Sequence, residues 1–107
     1  VVKVIRDRHA RAIYFSRAAI PYARESKNRE LAAASALHHH GIYAYRCGVL
    51  RRLVASQPSD LEICEQLEQL RALSICMEIV VGVPWVPPGP GVDTGEDLKR
   101  VQRALEP

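Results

Sequence analysis

Cysteine is scarce in this chain, and its spacing excludes two common classes of small domain. The three cysteines, Cys47, Cys64 and Cys76, are odd in number and widely separated. No Cys-x-x-Cys pair occurs, so neither a zinc knuckle nor a disulfide framework is indicated. Reduced thiols are typical of the cytoplasm, which is therefore the expected compartment.

Long apolar runs and glycine-rich motifs are also missing. No run approaches the roughly 20 apolar residues of a membrane span, and no secretory signal opens the chain. There is no Gly-x-Ser-x-Gly elbow, P-loop or dinucleotide fingerprint. The net charge of +3 is small, and aromatic residues are only 6% of the chain. Stacking aromatics do not alternate with the basic residues, so no nucleic-acid partner is expected, whereas a small anionic ligand is compatible.

The apolar pattern over the 107 residues predicts one α/β domain with a mixed sheet. Capping-box spacing, Ser59 to Glu62 and Thr94 to Asp97, indicates two helix starts. The first two strands are expected to form a hairpin. We expect strands at residues 1–5, 12–15, 39–46 and 79–83, and helices at residues 31–37, 49–55, 59–74 and from residue 94 onward.

The stretch from His39 to Arg46 predicts the organising strand. Alternation in a strand would place His39, Gly41, Tyr43 and Tyr45 on one face, with room for a ligand at the glycine. A half-buried strand whose tyrosines simply pack is the alternative. The same alternation separates His39 from His38 and His40, which argues against a three-histidine metal site.

Three further positions carry candidate chemistry. Arg17 ends the second strand, where a guanidinium can bind a carboxylate or remain a solvated surface group. Glu68 and Gln69 lie beside the apolar stripe of the helix at 59–74, and a solvated helix flank is their alternative. Asp93 follows a glycine-rich turn before the last helix, so it can bind magnesium or stabilise the helix start. The predicted stripe consists of Ile63, Leu67, Leu70 and Leu73.

Several motifs in register resemble the 3-deoxy-manno-octulosonate (KDO) cytidylyltransferases, the CMP-KDO synthetase family. The matching stretches are Tyr14-Phe15-Ser16-Arg17-Ala18, Ile20-Pro21, His39 to Arg46, Gln57-Pro58-Ser59, Leu61-Glu62, Glu65 to Arg71, and Pro88 to Thr94 with Glu96-Asp97-Leu98. The resemblance implies the C-terminal portion of a nucleotide-diphospho-sugar transferase-like (Rossmann-like) fold. Residues 1–107 would form the sugar-acid-binding and dimerisation half. The N-terminal CTP-binding half would lie outside this chain, consistent with a segment that starts at Val1 without a methionine.

The resemblance also implies a reaction and its residues. The family joins CTP and KDO into CMP-KDO, for lipopolysaccharide biosynthesis, with Mg²⁺ as cofactor, and a homodimer is expected. By motif match, Asp93 would be the catalytic magnesium ligand. The substrate-binding residues would be Arg17, His39, Tyr43, Glu68 and Gln69. Separated from the N-terminal half, the chain has an alternative function as a non-catalytic binding or dimerisation module, because open strand edges invite pairing.

Departures from the family pattern concern connections rather than the site. Asp60 replaces a usual proline, and the hairpin lacks its usual glycine. Ser74 to Met77 replaces aromatic and glycine residues that usually follow the helix. We therefore expect any structural cost in the helix-to-strand connection after residue 73 and in the robustness of the fold.

Overall fold

The structure is a computed structural model that describes all 107 residues. It contains strands and helices in mixed order, so the predicted α/β class is confirmed. The elements are β1 Lys3–Arg6, β2 Ala12–Ser16, α1 Arg29–Ser35, β3 Leu37–His38, α2 Cys47–Ala55, α3 Asp60–Glu65, α4 Gln69–Ser74 and α5 Gly95–Leu105, with a 3-10 turn at Ser26–Asn28 before α1. None of these helices combines the length and the apolar character that crossing a membrane requires.

The sheet has the strand order β2-β1-β3, and both pairings are antiparallel, so the mixed sheet predicted from the sequence is wrong. The predicted hairpin of β1 and β2 is confirmed, with Val4 opposite Phe15. These two side chains point to the same face and are almost fully buried. They pack against Leu67 and Leu70, so the core lies between the hairpin and the α3–α4 region.

The core is small for a chain of this length. Only 7 of 107 residues are buried. The radius of gyration is 16.3 Å, whereas a compact domain of this size has about 13 Å. Large apolar side chains such as Trp85 and Ile42 are exposed, so much apolar surface has no partner within the chain.

The predicted strand at residues 39–46 is wrong. Strand pairing ends at His38, and one further bond joins the His39 amide to the Val2 carbonyl at 2.9 Å. Gly41 has a φ of +73°, a left-handed conformation that glycine adopts without steric cost and that interrupts an extended chain. The segment beyond His38 therefore turns out of the sheet as a loop.

The predicted single helix at residues 59–74 is also wrong, because it is two short helices. Gln66 ends α3 in a left-handed conformation, with φ 55° and ψ 47°. Its side chain Nε2 donates to the Ile63 carbonyl at 2.7 Å, and the Leu67 amide donates to the Glu62 carbonyl at 3.4 Å. These bonds satisfy carbonyls at the helix end. The break also leaves Ile63 exposed, outside the stripe to which the sequence assigned it.

The predicted strand at residues 79–83 reduces to one isolated bridge, between Val80 and Arg11. Two amide–carbonyl bonds of 2.7 Å hold it, from Ala12 to Ile79 and from Val81 to Ala10. Only the turn end of the hairpin is available as a partner, so the pairing cannot extend. The capping box of Thr94 and Asp97 at α5 is confirmed.

Two non-glycine residues have a left-handed, strained backbone in the two stretches where the sequence departs from the family pattern. Ala10 in the hairpin turn has φ 62°, and Cys76 after α4 has φ 61°. At Cys76 the amides of residues 76 and 77 donate to the carbonyls of Leu73 and Ala72, the Schellman pattern that favours glycine. Ala10 and Cys76 therefore carry strain that glycine would avoid.

We expect Ala10→Gly and Cys76→Gly each to raise the free energy of unfolding by about 1 kcal/mol, because a left-handed alanine or cysteine is strained. The measurement is equilibrium denaturation in urea. Ala33→Gly, in the middle of α1, is the matched control and should lower the same quantity by about 1 kcal/mol. Equal destabilisation by all three changes would contradict the prediction.

Candidate functional site

An imidazole and two phenols meet in the loop after β3. His39 Nε2 lies 2.6 Å from the Tyr43 hydroxyl. Phe15 of β2 contacts the His39 ring edge-on, with centroids 5.4 Å apart, and Tyr45 stacks on Tyr43 at 5.8 Å. The left-handed turn at Gly41 folds the loop back, so His39 and Tyr43 come together although they are not on a strand. Their predicted proximity is therefore achieved by a different geometry.

Partial burial sets the protonation of this pair. Burial lowers the pKa of His39, as do the neighbouring His38 and His40, while the Glu68 carboxylate raises it. Burial also raises the pKa of Tyr43 to about 12, with Tyr45 and Glu68 adding to the shift. At neutral pH both groups are therefore uncharged, and one donates to the other.

We expect the His39 pKa, measured by NMR titration of its ring protons, to lie below the ordinary value of about 6.5. The unfolded chain then binds more protons than the folded chain between the two pKa values. The stabilisation is present above pH ~6.5 and is lost as the pH falls through the folded pKa. Glu68→Gln should lower the His39 pKa further, because the carboxylate raises it. A His39 pKa at or above 6.5, or no response to Glu68→Gln, would contradict this expectation.

Glu68 and Gln69 begin α4, and the two side chains differ sharply in environment. Glu68 is exposed, and its charge reaches His39, Tyr43 and Arg71. Gln69 is buried, with 4% of its surface exposed. The alternative that Gln69 lies on a solvated helix flank is therefore wrong. Its Nε2 has no hydrogen-bond partner. A buried donor without a partner costs about 1–3 kcal/mol, which makes this amide a candidate for ligand binding.

Arg17 is engaged by the protein itself. Its Nε donates to the Glu65 carbonyl at 2.7 Å, and its Nη2 donates to the Gln66 carbonyl at 3.1 Å. The Glu65 carboxylate accepts from the Arg17 amide and from Ser16 Oγ. The hydrogen bond from the Arg17 amide is the main cause that lowers the Glu65 pKa. Arg17 thus ties β2 to the end of α3, and a role toward a ligand carboxylate stays a prediction.

Asp93 is exposed and directly precedes the capping residue of α5. Its amide donates to Asp97 Oδ2 at 3.3 Å, whereas its own carboxylate forms no hydrogen bond or ion pair. It belongs to no cluster of three potential metal ligands. The helix start is thus built by Thr94 and Asp97, and the carboxylate of Asp93 remains free for another role.

A cavity of about 820 Å³ lies beside the His39–Tyr43 pair. Its walls are the loop at residues 38–46, the extended segment at residues 77–84, and Val4, Phe15 and Ala72 from the core. Arg17, Glu68, Gln69 and Asp93 do not line it. The structure thus brings His39 and Tyr43 to the cavity and Glu68 to within electrostatic reach, but does not bring in Arg17 or Asp93.

Sequence reasoning missed two contributors to this region. Phe15 was expected only as a strand residue, yet it joins the core to the His39 ring. Glu62 pairs with Arg71 through two bonds of 2.7 and 2.8 Å. The helix break at Gln66 allows Glu62 and Arg71 to meet. No glycine or proline in the sequence indicates that break.

Comparison with known proteins agrees with this architecture. A solved structure of a CMP:2-keto-3-deoxy-manno-octonic acid synthetase complexed with CTP superposes with a TM-score of 0.79 and is 37% identical. The match covers 97% of this chain and 41% of that chain. The fold is therefore that of a fragment of this nucleotidyltransferase, and this chain spans less than half the length of its relative.

A family model described as cytidylyltransferase matches residues 1–79. These residues include the hairpin, the His39–Tyr43 loop and both Glu68 and Gln69. The resemblance seen in the motifs is confirmed by both comparisons. The chain belongs to the cytidylyltransferase family.

Proposed function

We propose that this chain is the sugar-acid-binding half of an enzyme that joins CTP and KDO into CMP-KDO with release of pyrophosphate. The KDO anomeric hydroxyl would attack the α-phosphorus of CTP in line, forming one P–O bond as the bond to pyrophosphate breaks. The supports are the family, the likeness to a synthetase solved with CTP, and the polar groups around His39. The product would feed lipopolysaccharide biosynthesis in the cytoplasm.

The observation that carries the sugar pocket is the hydrogen-bonded pair of His39 and Tyr43 in the wall of the cavity; the buried Gln69 adds an Nε2 that has no partner. Leu67 and Leu70, on either side of it in sequence, pack on Phe15, which contacts His39. Gln69 does not line the cavity, so a sugar hydroxyl or ring oxygen would accept a hydrogen bond from this amide only after the cavity wall moves. The cost of the unpaired donor would then be relieved only in the complex, which favours binding.

The remaining residues would orient the sugar. Glu68 accepts from a hydroxyl, and its charge makes that hydrogen bond stronger than one between neutral groups. His39 and Tyr43 are uncharged at neutral pH and can each donate or accept. Arg17 has Nη1 left over from its structural bonds and would face the sugar carboxylate. Fixing the hydroxyl near the phosphorus in this way lowers the entropic part of the barrier.

Asp93 fits a magnesium ligand by its chemistry. Magnesium usually binds through one or two carboxylates together with substrate phosphates. An exposed carboxylate with no partner in the protein, next to a helix start, meets that requirement. The bound ion would neutralise phosphate charge at the reacting centre.

A second function, as a non-catalytic binding or homodimerisation module, is favoured by one observation. Only 7 of 107 residues are buried, and exposed apolar side chains occur on α2 and α5. Leu50 and Val54 on α2, and Leu98 and Leu105 on α5, are examples. Apolar surface of this extent indicates that another polypeptide covers part of the chain.

The deciding experiment mixes CTP, KDO and Mg²⁺ with this chain alone and with the complete enzyme, and measures pyrophosphate. Release by the complete enzyme supports the proposed reaction, and release by the chain alone rules out the module function. Calorimetric titration of the chain with KDO tests the pocket separately. No release by the complete enzyme and no KDO binding would refute the proposal.

A further inference from the structure

We propose that the ion pair between Glu62 and Arg71 is a positioning device that sets Glu68 and Gln69 against the sugar acid. This inference rests on the proposed function, because that function assigns Glu68 and Gln69 to the sugar. Glu62 lies on α3 and Arg71 on α4. The pair therefore bridges the two helices across the turn at residues 66–68, which ends at Glu68 and leads directly into Gln69.

The geometry of the pair suits a rigid clamp. Arg71 Nε donates to Glu62 Oε2 at 2.8 Å, and Nη2 donates to Oε1 at 2.7 Å. Two parallel bonds between planar groups fix orientation as well as distance. The side chains retain only 21% and 13% of their exposure, so water competes less than it does for a surface pair. Arg71 also points Nη1 toward the Ser56 carbonyl at 3.4 Å.

The turn between the helices needs such a clamp. Gln66 is left-handed, a strained conformation for a residue with a side chain. Helix α4 has only six residues, too few to be stable without tertiary contacts. The N-cap residue of α4, Glu68, makes no side-chain capping bond. The direction in which α4 begins is therefore set from outside the helix.

The pair is anchored at its α3 end. Ser59 Oγ accepts from the Glu62 amide at 3.2 Å and so holds the first turn of α3. Arg17 holds the other end of α3 through the Glu65 and Gln66 carbonyls. With α3 fixed on both sides, the bidentate bond transmits that position to α4. Arg71 is itself close enough to Glu68 to feel its charge.

Conservative variants of the chain separate positioning from stability. Glu62→Gln and Arg71→Lys each retain shape or charge but lose the paired bonds. We expect each to weaken KDO binding by calorimetry roughly tenfold or more, because small misplacements of a binding group are costly. Their effects should not add in the double variant, since both break one interaction. The matched control is Arg11→Lys, which breaks bonds of 2.9 and 3.0 Å to Glu78 and Asp7 at the hairpin and should leave KDO affinity unchanged.

A second readout works without the sugar. The Glu68 carboxylate raises the His39 pKa, so a displaced Glu68 should lower that pKa in Glu62→Gln and leave it unchanged in Arg11→Lys. If the wild-type chain does not bind KDO, the proposed function fails, and the His39 titration alone decides the positioning role. Folded Glu62→Gln and Arg71→Lys with an unchanged His39 pKa would overturn the inference. So would wild-type KDO affinity in both variants, with or without a fall in melting temperature.

Discussion

Asp93→Asn in the complete enzyme should lower turnover by roughly a hundredfold or more, the scale of losing one strong electrostatic contact to a transition state. The carboxylate has no partner in the protein, so its charge is available to a metal ion. An amide oxygen is a much poorer ligand for a strongly hydrated divalent cation. The measurement is pyrophosphate release as a function of magnesium concentration.

The same change should leave the fold intact. Thr94 and Asp97 build the start of α5 through a reciprocal capping box, and the Asp93 side chain takes no part in it. We therefore expect the melting temperature to stay within a few degrees, because exposed changes usually cost about 0.5 kcal/mol or less. The control is Asp97→Asn, which should reduce stability by weakening the cap. A direct readout is broadening of the residue 93 amide signal by Mn²⁺, lost in Asp93→Asn. Near-normal turnover with the wild-type magnesium dependence would show that Asp93 binds no metal.

The sequence predicted the structure correctly where interactions between residues close in sequence determine it. The hairpin at residues 3–16 and the capping box at Thr94 follow from apolar pattern and side-chain hydrogen bonding within a few residues. The stretches in which glycine is missing contain the two left-handed residues Ala10 and Cys76. Alternation and position in the sequence selected the candidate site residues, and the family resemblance added the role expected of each.

The errors arose where long-range packing overrides propensity. Periodicity favoured one helix through residues 59–74, but the break at Gln66 lets Glu62 reach Arg71. On a continuous helix, positions nine residues apart point to opposite sides, so the pair could not be predicted. Likewise, the aromatic content of residues 39–46 favoured a strand, while Gly41 and the His39–Tyr43 contact produce a folded loop.

Glu68→Ala in the complete enzyme should weaken the use of KDO far more than the use of CTP. Glu68 is exposed, so the protein gains no packing from it, yet its charge influences both His39 and Tyr43. Removing a charged hydrogen-bond partner of a sugar hydroxyl costs about 1.5–3 kcal/mol. That corresponds to an increase of about tenfold or more in the KM for KDO, with the KM for CTP nearly unchanged.

Two comparisons make the Glu68 result specific. Glu68→Gln keeps an acceptor of the same shape without the charge, so its KM for KDO should lie between wild type and Glu68→Ala. Glu30→Ala, an exposed first-turn acid of α1, should leave both KM values unchanged. The melting temperature of Glu68→Ala should match wild type, since no side-chain bond of Glu68 caps α4. An equal rise in the KM values for CTP and KDO, or a large fall in melting temperature, would show that Glu68 supports the fold and does not bind the sugar. A residue that only supports α4 would affect the two substrates alike.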